Sequence, residues 1–182
     1  MMVVIPLANG FEEIEAVNLI DVLRRAEIEV VVAGVGAKMI LGAHKIKVET
    51  DLLVSQISSD KMEMMILPGG WDGTHALADD ADVQRLLKEM DAKGKMIGAI
   101  CAAPYVLEKA GVLKHDYTCY PSVEKQIRLE GYTKEQTVVT DGNVMTSRGP
   151  GTALCFALAI VERLKGAETA KALKNGMLAE YC

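Results

Sequence analysis

The 182-residue chain has few aromatic residues, no excess of positive charge and no long hydrophobic run. Aromatic residues make up 4% of the chain and hydrophobic residues 50%, so a core must be built mainly from aliphatic side chains and methionine. The net charge of -5 disfavours a dedicated nucleic-acid-binding surface, which needs basic residues. Because no apolar run reaches about 18 residues and no basic leader precedes the first apolar segment, neither membrane insertion nor secretion is indicated.

The four cysteines do not form a recognisable metal or disulfide pattern. Cys101, Cys119, Cys155 and Cys182 contain no CxxC pair and have no histidine at zinc-ligand spacing. We therefore expect a cytoplasmic protein with reduced thiols and no bound metal. Each cysteine is then either a small buried hydrophobic residue or a reactive group.

Short apolar runs alternate with stretches of helical spacing along the whole chain. The runs that are rich in β-branched or other strand-forming residues are 2–8, 28–34, 62–67, 96–100 and 137–140. This alternation predicts an α/β fold with a mainly parallel sheet that is buried on both faces. The segment 36–57 alternates in polarity and predicts a small antiparallel excursion. Since there is no linker or repeat, we expect one domain over residues 1–182.

Two of the predicted helices carry more apolar residues than one sheet face requires. The helix over 12–26 has a stripe at helical spacing, formed by Ile14, Val17, Ile20 and Leu23. Either this helix packs deeply within its own chain, or part of it contacts a second subunit. The segment 151–165 is apolar on nearly all sides and predicts a central helix over the sheet, with Cys155 as core packing.

The strongest signal for chemistry is the junction between the predicted strand 96–100 and the helix that follows it. Cys101 lies at this junction, with the small residues Ala99 and Ala103 two positions before and after it. This spacing is typical of a nucleophile elbow, where the helix N-terminus favours the thiolate. The alternative is a structural cysteine at the end of a strand.

Two other segments place useful groups at the same edge of the predicted sheet. Gly69 and Gly70 follow an apolar strand, so their backbone N–H groups can hold an oxyanion. After the first strand come Glu12, Glu13 and Glu15. One carboxyl group close to the thiol can act as a general acid or base if burial raises its pKa. We expect Glu12 and Glu13 to be solvated capping charges.

Four segments together resemble the ThiJ/PfpI family, in particular its protein deglycase branch. They are residues 8–15, 67–70, 99–104 and 146–152, and the resemblance covers essentially the whole chain. It implies a flavodoxin-like three-layer α/β sandwich that forms a homodimer, here through the first helix.

The resemblance also assigns roles to individual residues. It implies that Cys101 is the nucleophile and that a protonated Glu15 hydrogen-bonds its thiolate. The backbone of Gly69, Gly70 and Ala102 corresponds to the oxyanion-binding turn of the family.

Further positions frame the site in the family, and two of them differ here. Arg25, Arg148 and Pro150 match framing positions, as does Tyr120, where close relatives often have histidine. Peptidase-like and chaperone-like members carry histidine directly after the nucleophile, where this chain has Ala102. We predict that the three histidines, His44, His75 and His115, lie at the surface or in loops, so that Glu15 carries the proton transfer.

The resemblance implies a cofactor-independent enzyme of the glyoxalase III or protein deglycase type, which converts methylglyoxal to lactate. Its substrate is a small aldehyde or a glycated protein adduct. The alternative is a redox sensor or redox-regulated chaperone in which Cys101 is oxidised to the sulfinate. An intracellular peptidase is disfavoured by Ala102.

The remaining candidates are assigned from their position in the sequence alone. Cys119 either borders the site or packs in the core, and Cys182 at the chain end is expected to be an exposed bystander. Trp71, just after the glycine turn, is either a wall of the site or an anchor in an interface.

Overall fold

The computed structural model describes residues 2–182, which form nine strands and six α-helices. The strands are β1 (Met2–Leu7), β2 (Glu29–Gly34), β3 (Met39–Leu41), β4 (Lys47–Glu49), β5 (Leu52–Leu53), β6 (Met62–Leu67), β7 (Met96–Ile100), β8 (Val138–Asp141) and β9 (Val144–Ser147). The helices are α1 (Glu13–Arg25), α2 (Trp71–Asp79), α3 (Ala81–Ala92), α4 (Pro104–Ala110), α5 (Ala153–Lys165) and α6 (Ala167–Gly176). The five predicted strands and the two predicted helices are confirmed to within two residues at each end.

Seven strands form one sheet in the order β5-β2-β1-β6-β7-β9-β8. All neighbours are parallel except β8 and β9, so the prediction of a mainly parallel sheet is confirmed. The strands β3 and β4 form a separate antiparallel hairpin, as predicted for the segment 36–57. Because β1, β6, β7 and β9 run in the same direction, the residues that follow them meet at one edge of the sheet.

The sheet is covered on both faces, as a flavodoxin-like three-layer sandwich requires. In β1, Val3 and Ile5 belong to the apolar cluster that α1 and α5 cover, whereas Val4 faces the cluster under α2, α3 and α4. Successive side chains of a strand point to opposite faces, so a strand buried on both sides must be apolar throughout. The core is aliphatic and rich in methionine, with Met64 and Met65 on opposite faces of β6.

The helix α1 has an apolar face that its own chain does not cover. Ile14 is 54% exposed and Val17 is 50% exposed, while Leu19 and Leu23 are fully buried. The interpretation of α1 as a helix packed deeply within its own chain is therefore wrong for the first two residues of the predicted stripe.

None of the helices in residues 2–182 has the length and apolar character that a membrane span requires.

The expectation for two of the cysteines is wrong, because Cys155 and Cys182 form a disulfide with their Cα atoms 5.1 Å apart. Cys155 lies in α5 as predicted but is only partly buried, and Cys182 is not a free bystander. The helix α6 folds back against α5, which returns the chain end to a residue 27 positions earlier. No spacing pattern signals this pairing, since it depends on the packing of two helices.

Candidate active site

Cys101 lies in a strained turn between β7 and α4. Its φ angle is +65°, a left-handed conformation that residues other than glycine rarely adopt. Two hydrogen bonds hold the turn: Cys101 N donates to Ser147 O at 3.0 Å, and Tyr120 N donates to Cys101 O at 2.9 Å. The neighbouring Ala102 is buried and belongs to a small apolar cluster behind the turn. The geometry is that of the predicted nucleophile elbow.

Glu15 lies beside the thiol on the first turn of α1 and is fully buried. Its Oε2 accepts a hydrogen bond from Gly69 N at 2.7 Å, whereas Oε1 has no hydrogen-bond partner in the described part of the chain. Burial raises the pKa of Glu15 to about 7, against the lowering effect of the Gly69 N–H and the Cys101 thiol. Near neutral pH this carboxyl group can therefore both give and take a proton.

The thiol and the carboxyl group of this pair compete for one proton. Burial, followed by the charge of the Glu15 carboxylate, raises the pKa of the Cys101 thiol, while the backbone N–H groups of Ala102 and Gly70 favour the thiolate. The prediction that the elbow favours the thiolate is thus wrong in direction, because burial outweighs the two N–H groups. A protonated Glu15 removes the repulsion between the two charges but not the effect of burial. Since the charge of each group changes the pKa of the other, the pair titrates as a unit.

Gly69 and Gly70 follow β6 at positions where the backbone packs so closely against neighbouring residues that no side chain fits. A Cβ atom on Gly69 would lie 2.7 Å from Cys101 Cβ and 2.9 Å from Glu15 Oε2, closer than side chains can approach. Gly70 has a φ angle of +89°, and a Cβ atom there would lie 2.2 Å from Gly10 O. Only bare backbone brings the Gly70 N–H to the thiol and the Gly69 N–H to the Glu15 carboxyl group. Gly69 therefore shapes the turn and holds Glu15, and it does not supply an oxyanion-binding N–H as predicted.

A cavity of about 250 Å³ opens onto the thiol. Side chains from separate segments line it together with Cys101, among them Glu12, His44, Trp71, Tyr120 and Pro150. Tyr120 and Pro150 thus lie at the site as predicted. Of the two alternatives for Trp71, the structure places it in the wall of the site, where its ring also stacks on His75 with centroids 5.1 Å apart.

The two predicted framing arginines lie in different places. Arg25 is in the last turn of α1, about 15 Å along the helix from Glu15 at 1.5 Å per residue. It pairs there with Asp21 at 2.7 Å, so its placement at the site is wrong within this chain, because α1 runs away from the sheet edge. Arg148 follows β9 at the correct edge and lies near Cys119, with its Nε buried and without a hydrogen-bond partner among the described residues.

Cys119 packs in a small apolar cluster behind the elbow. It is fully buried against Ala102, Tyr117 and Val123, with Cys101 at the margin of the same cluster. Burial, together with the nearby charge of Glu124, raises the pKa of its thiol to about 12. Of the two alternatives, packing describes Cys119 better, because it does not line the cavity.

Glu13 and His44 form a pair beside the cavity, which His44 lines, and no motif in the sequence indicated it. His44 Nδ1 lies 2.8 Å from Glu13 Oε2, and His44 N donates to Glu13 Oε1 at 2.6 Å. Burial tends to raise the pKa of Glu13, but the hydrogen bonds of His44 and Ile46 outweigh it and lower the pKa. The same hydrogen bond to Glu13 raises the pKa of His44. No sequence signal links residues 31 positions apart, so only the fold reveals this pair.

The capping carboxylates are also more buried than predicted. Glu12 caps α1, since its Oε2 accepts a hydrogen bond from Glu15 N at 2.8 Å, but neither Glu12 nor Glu13 is solvated. Ligand-type atoms of Glu12, Glu13 and His44 lie within 4.8 Å of one another. Both oxygens of Glu13 already accept hydrogen bonds from His44. These hydrogen bonds explain why the three side chains lie close together, and we assign no metal to them.

These features define a flavodoxin-like α/β protein with a cysteine on an elbow and a buried glutamic acid beside it. The chain belongs to the DJ-1/PfpI family, whose model matches residues 1–163. The prediction of family and fold is thereby confirmed.

Relatives with this fold are found in animals and in a parasite. The chain is 43% identical over 178 residues to Protein dj-1beta of Drosophila melanogaster, and the alignment covers 96% of this chain and 95% of that protein. The crystal structure of Drosophila melanogaster DJ-1beta has a TM-score of 0.94 at 41% identity and covers 97% of each chain. A structure of oxidized DJ-1 from Toxoplasma gondii has a TM-score of 0.92 at 35% identity, again with 97% of each chain covered. The glutathione-independent glyoxalase DJR-1.2 of Caenorhabditis elegans is 36% identical over 163 residues, which are 89% of this chain and 87% of that protein.

Proposed function

We propose that this protein is a cofactor-independent cysteine enzyme that converts small reactive aldehydes to hydroxy acids, with methylglyoxal giving lactate. The observation that carries the proposal is the buried contact between Glu15 and the Cys101 thiol, beside the N–H groups of Gly70 and Ala102. The nematode relative that is named a glutathione-independent glyoxalase supports the same chemistry. Protein deglycation would use the same attack on a glycated adduct.

The reaction begins with addition of the Cys101 sulfur to the aldehyde carbon of the substrate. The thiol proton passes to Glu15, whose pKa of about 7 suits it to receive and return a proton. The oxyanion that forms on the former aldehyde oxygen accepts hydrogen bonds from Gly70 N–H and Ala102 N–H. Protonation of this oxygen by Glu15 gives a hemithioacetal.

Glu15 then moves a proton between the two carbons of the substrate. It removes the hydrogen from the former aldehyde carbon and returns a proton to the neighbouring carbon, so that an enediol becomes a thioester. Because Glu15 is fully buried, its proton does not exchange freely with water during this transfer. Hydrolysis of the thioester releases the hydroxy acid and regenerates the thiol.

Lactate release from methylglyoxal tests the proposal directly. Cys101→Ser should abolish turnover and Glu15→Gln should reduce it by about 100-fold or more, since each removes a reacting group. Cys119→Ser is the matched control, because it removes a buried thiol that does not line the cavity. Full activity of Cys101→Ser would contradict the mechanism.

A redox role for Cys101 is the second candidate function. The thiol opens onto a cavity, and a protonated Glu15 beside it can donate a hydrogen bond to a sulfinate oxygen. The oxidized Toxoplasma relative is compatible with this role. After mild peroxide treatment, mass spectrometry should find two added oxygen atoms at Cys101 and none at Cys119. Equal oxidation of both thiols would exclude a dedicated sensor.

We also propose that the protein is a homodimer formed through α1. Ile14 and Val17 form an exposed apolar pair on this helix, and the exposed Ile46 of the neighbouring hairpin lies close to its first turn. Burial of this face in a dimer would stabilise the dimer by about 25 cal/mol for each Å² of apolar surface removed from water. The cytoplasmic location remains a prediction.

A further inference from the structure

We propose that His44, oriented by Glu13, is the general base that activates the hydrolytic water in the last step of the reaction. This inference rests on the proposed function and adds a catalytic residue to it. Cys101 and Glu15 account for formation of the thioester, but Glu15 is fully buried and does not line the cavity through which water would reach Cys101. His44 lines the same cavity as Cys101.

The hairpin β3–β4 positions the imidazole over the N-terminus of α1. Two contacts with one buried carboxylate hold the residue: Glu13 Oε1 accepts from the His44 backbone N, and Glu13 Oε2 lies 2.8 Å from Nδ1. In neutral His44 the proton therefore resides on Nδ1, and Nε2 has a free lone pair. Gly42 makes this approach possible, since a Cβ atom there would lie 2.2 Å from Glu13 Oε1.

Exposure separates the two acid–base groups of the site. The side chain of His44 is 72% exposed in the single chain, whereas Glu15 is fully buried and does not line the cavity. Water that enters the cavity to reach a thioester on Cys101 can therefore meet His44 but not Glu15. A carboxylate that holds an imidazole for proton abstraction is the arrangement used by hydrolytic triads.

The hydrolytic step balances without any further reactant. The water oxygen forms a bond to the thioester carbon while His44 Nε2 takes its proton. The resulting oxyanion accepts hydrogen bonds from Gly70 N–H and Ala102 N–H. The bond between carbon and the Cys101 sulfur then breaks, the sulfur receives the imidazole proton, and the hydroxy acid loses its own proton to solvent.

The charges around the imidazole predict how this step depends on pH. Glu13 and Glu12 of α1 face His44, and both favour its protonated form. Only the neutral imidazole can accept a proton from water, so the hydrolytic rate should rise with pH as His44 loses its proton. Ionisation of Glu15 changes the rate of thioester formation, whereas deprotonation of His44 changes the rate of thioester hydrolysis. Measuring the two steps separately therefore distinguishes the two groups.

The test is the fate of the acyl intermediate in His44→Gln. With methylglyoxal, this variant should show a kcat about 100-fold lower than that of the wild type, the loss expected when a general base is removed. Intact-mass analysis of quenched reactions should show Cys101 carrying one substrate unit as a thioester. After methylglyoxal has been removed, because hydroxylamine would otherwise trap it as an oxime, hydroxylamine should cleave the isolated thioester to the hydroxamate and free the Cys101 thiol. A hemithioacetal of the same mass would give no hydroxamate. Glu13→Gln should lose about 10-fold and also accumulate the thioester.

His115→Gln is the matched control. His115 Nδ1 lies 2.8 Å from Asp116 Oδ1 and the side chain is exposed, but His115 does not line the cavity. This variant should keep the wild-type rate and the ascending limb of the pH profile, which His44→Gln should lose.

Three outcomes would overturn the inference. The first is a rate for His44→Gln within twofold of the wild type, and the second is a slow variant that accumulates no thioester. The third is an isolated adduct that gives no hydroxamate with hydroxylamine. If the wild type itself released no lactate and formed no adduct on Cys101, the proposed function would fail instead.

Discussion

Replacement of Glu15 by glutamine should make the protein more stable at alkaline pH, although it removes a residue that we place at the centre of catalysis. Glu15 is fully buried, and burial raises its pKa from 4.5 to about 7. A buried neutral carboxyl group costs far less than a buried carboxylate without a cationic partner. Glutamine has nearly the same shape and remains neutral at every pH, and its side-chain oxygen can still accept the Gly69 N–H.

The size of the effect follows from linkage between protonation and folding. Because the folded-state pKa lies above the unfolded value, the native state holds the proton more tightly. The resulting stabilisation is fully present below pH 4.5 and is lost as the pH rises to 7. A rise of the pKa from 4.5 to about 7 corresponds to about 3 kcal/mol, at about 1.4 kcal/mol per pH unit.

Urea denaturation at several pH values between 4.5 and 8 measures this effect. Both proteins should carry Cys101→Ser, so that the coupled thiol does not contribute. The difference in unfolding free energy between Glu15→Gln and its parent should move by about 3 kcal/mol in favour of the variant across this range. A difference that stays constant with pH, or moves the other way, would refute the assignment of a raised pKa to Glu15.

Three further predictions concern the turn, the proposed dimer and the chain end. Gly69→Ala should lower kcat/KM about 100-fold with the fold intact by circular dichroism, because its Cβ atom would displace Cys101; a wild-type rate would show that the elbow tolerates the shift. Val17→Lys should convert a dimer to a monomer in analytical ultracentrifugation, since Val17 is half exposed in the single chain; a monomeric wild type would exclude the interface. Cys182→Ser should lower the free energy of unfolding by about 3.5 kcal/mol, the loop-closure value for a crosslink spanning 27 residues to Cys155. Dithiothreitol should cause the same loss in the wild type and none in the variant, and equal stability of the two proteins under oxidising conditions would contradict the disulfide.

Most of the fold could be predicted because its signals are local. Apolar runs of strand length marked β1, β2, β6 and β7, since a strand buried on both faces must be apolar at nearly every position. The edge strand β8 was marked instead by its β-branched residues at 138–140. The strand β9 is an exception, because its four residues include Thr146 and Ser147, whose hydroxyl groups find partners only in the folded chain. The strand β5 is only two residues long and carries no pattern at all.

The centre of the candidate site was predictable for a different reason. Cys101 and the glycine pair at 69–70 each follow a buried strand, and parallel strands bring their ends to one edge of the sheet. The prediction failed where burial and distance decide the outcome. Arg25 lies too far along its helix, Glu12 and Glu13 are buried rather than solvated, and the thiol pKa is raised.

By itself, the sequence determined the α/β class and the elbow cysteine, because these depend on local spacing. Its four motifs determined the family, and the resemblance to that family implied Glu15 as the partner of the cysteine. Only the tertiary structure decided which groups touch across long separations. It pairs His44 with Glu13 beside the cavity and joins Cys182 to Cys155. It also sets the pKa of Glu15 near 7, because desolvation depends on everything that surrounds a group and not on its neighbours in sequence.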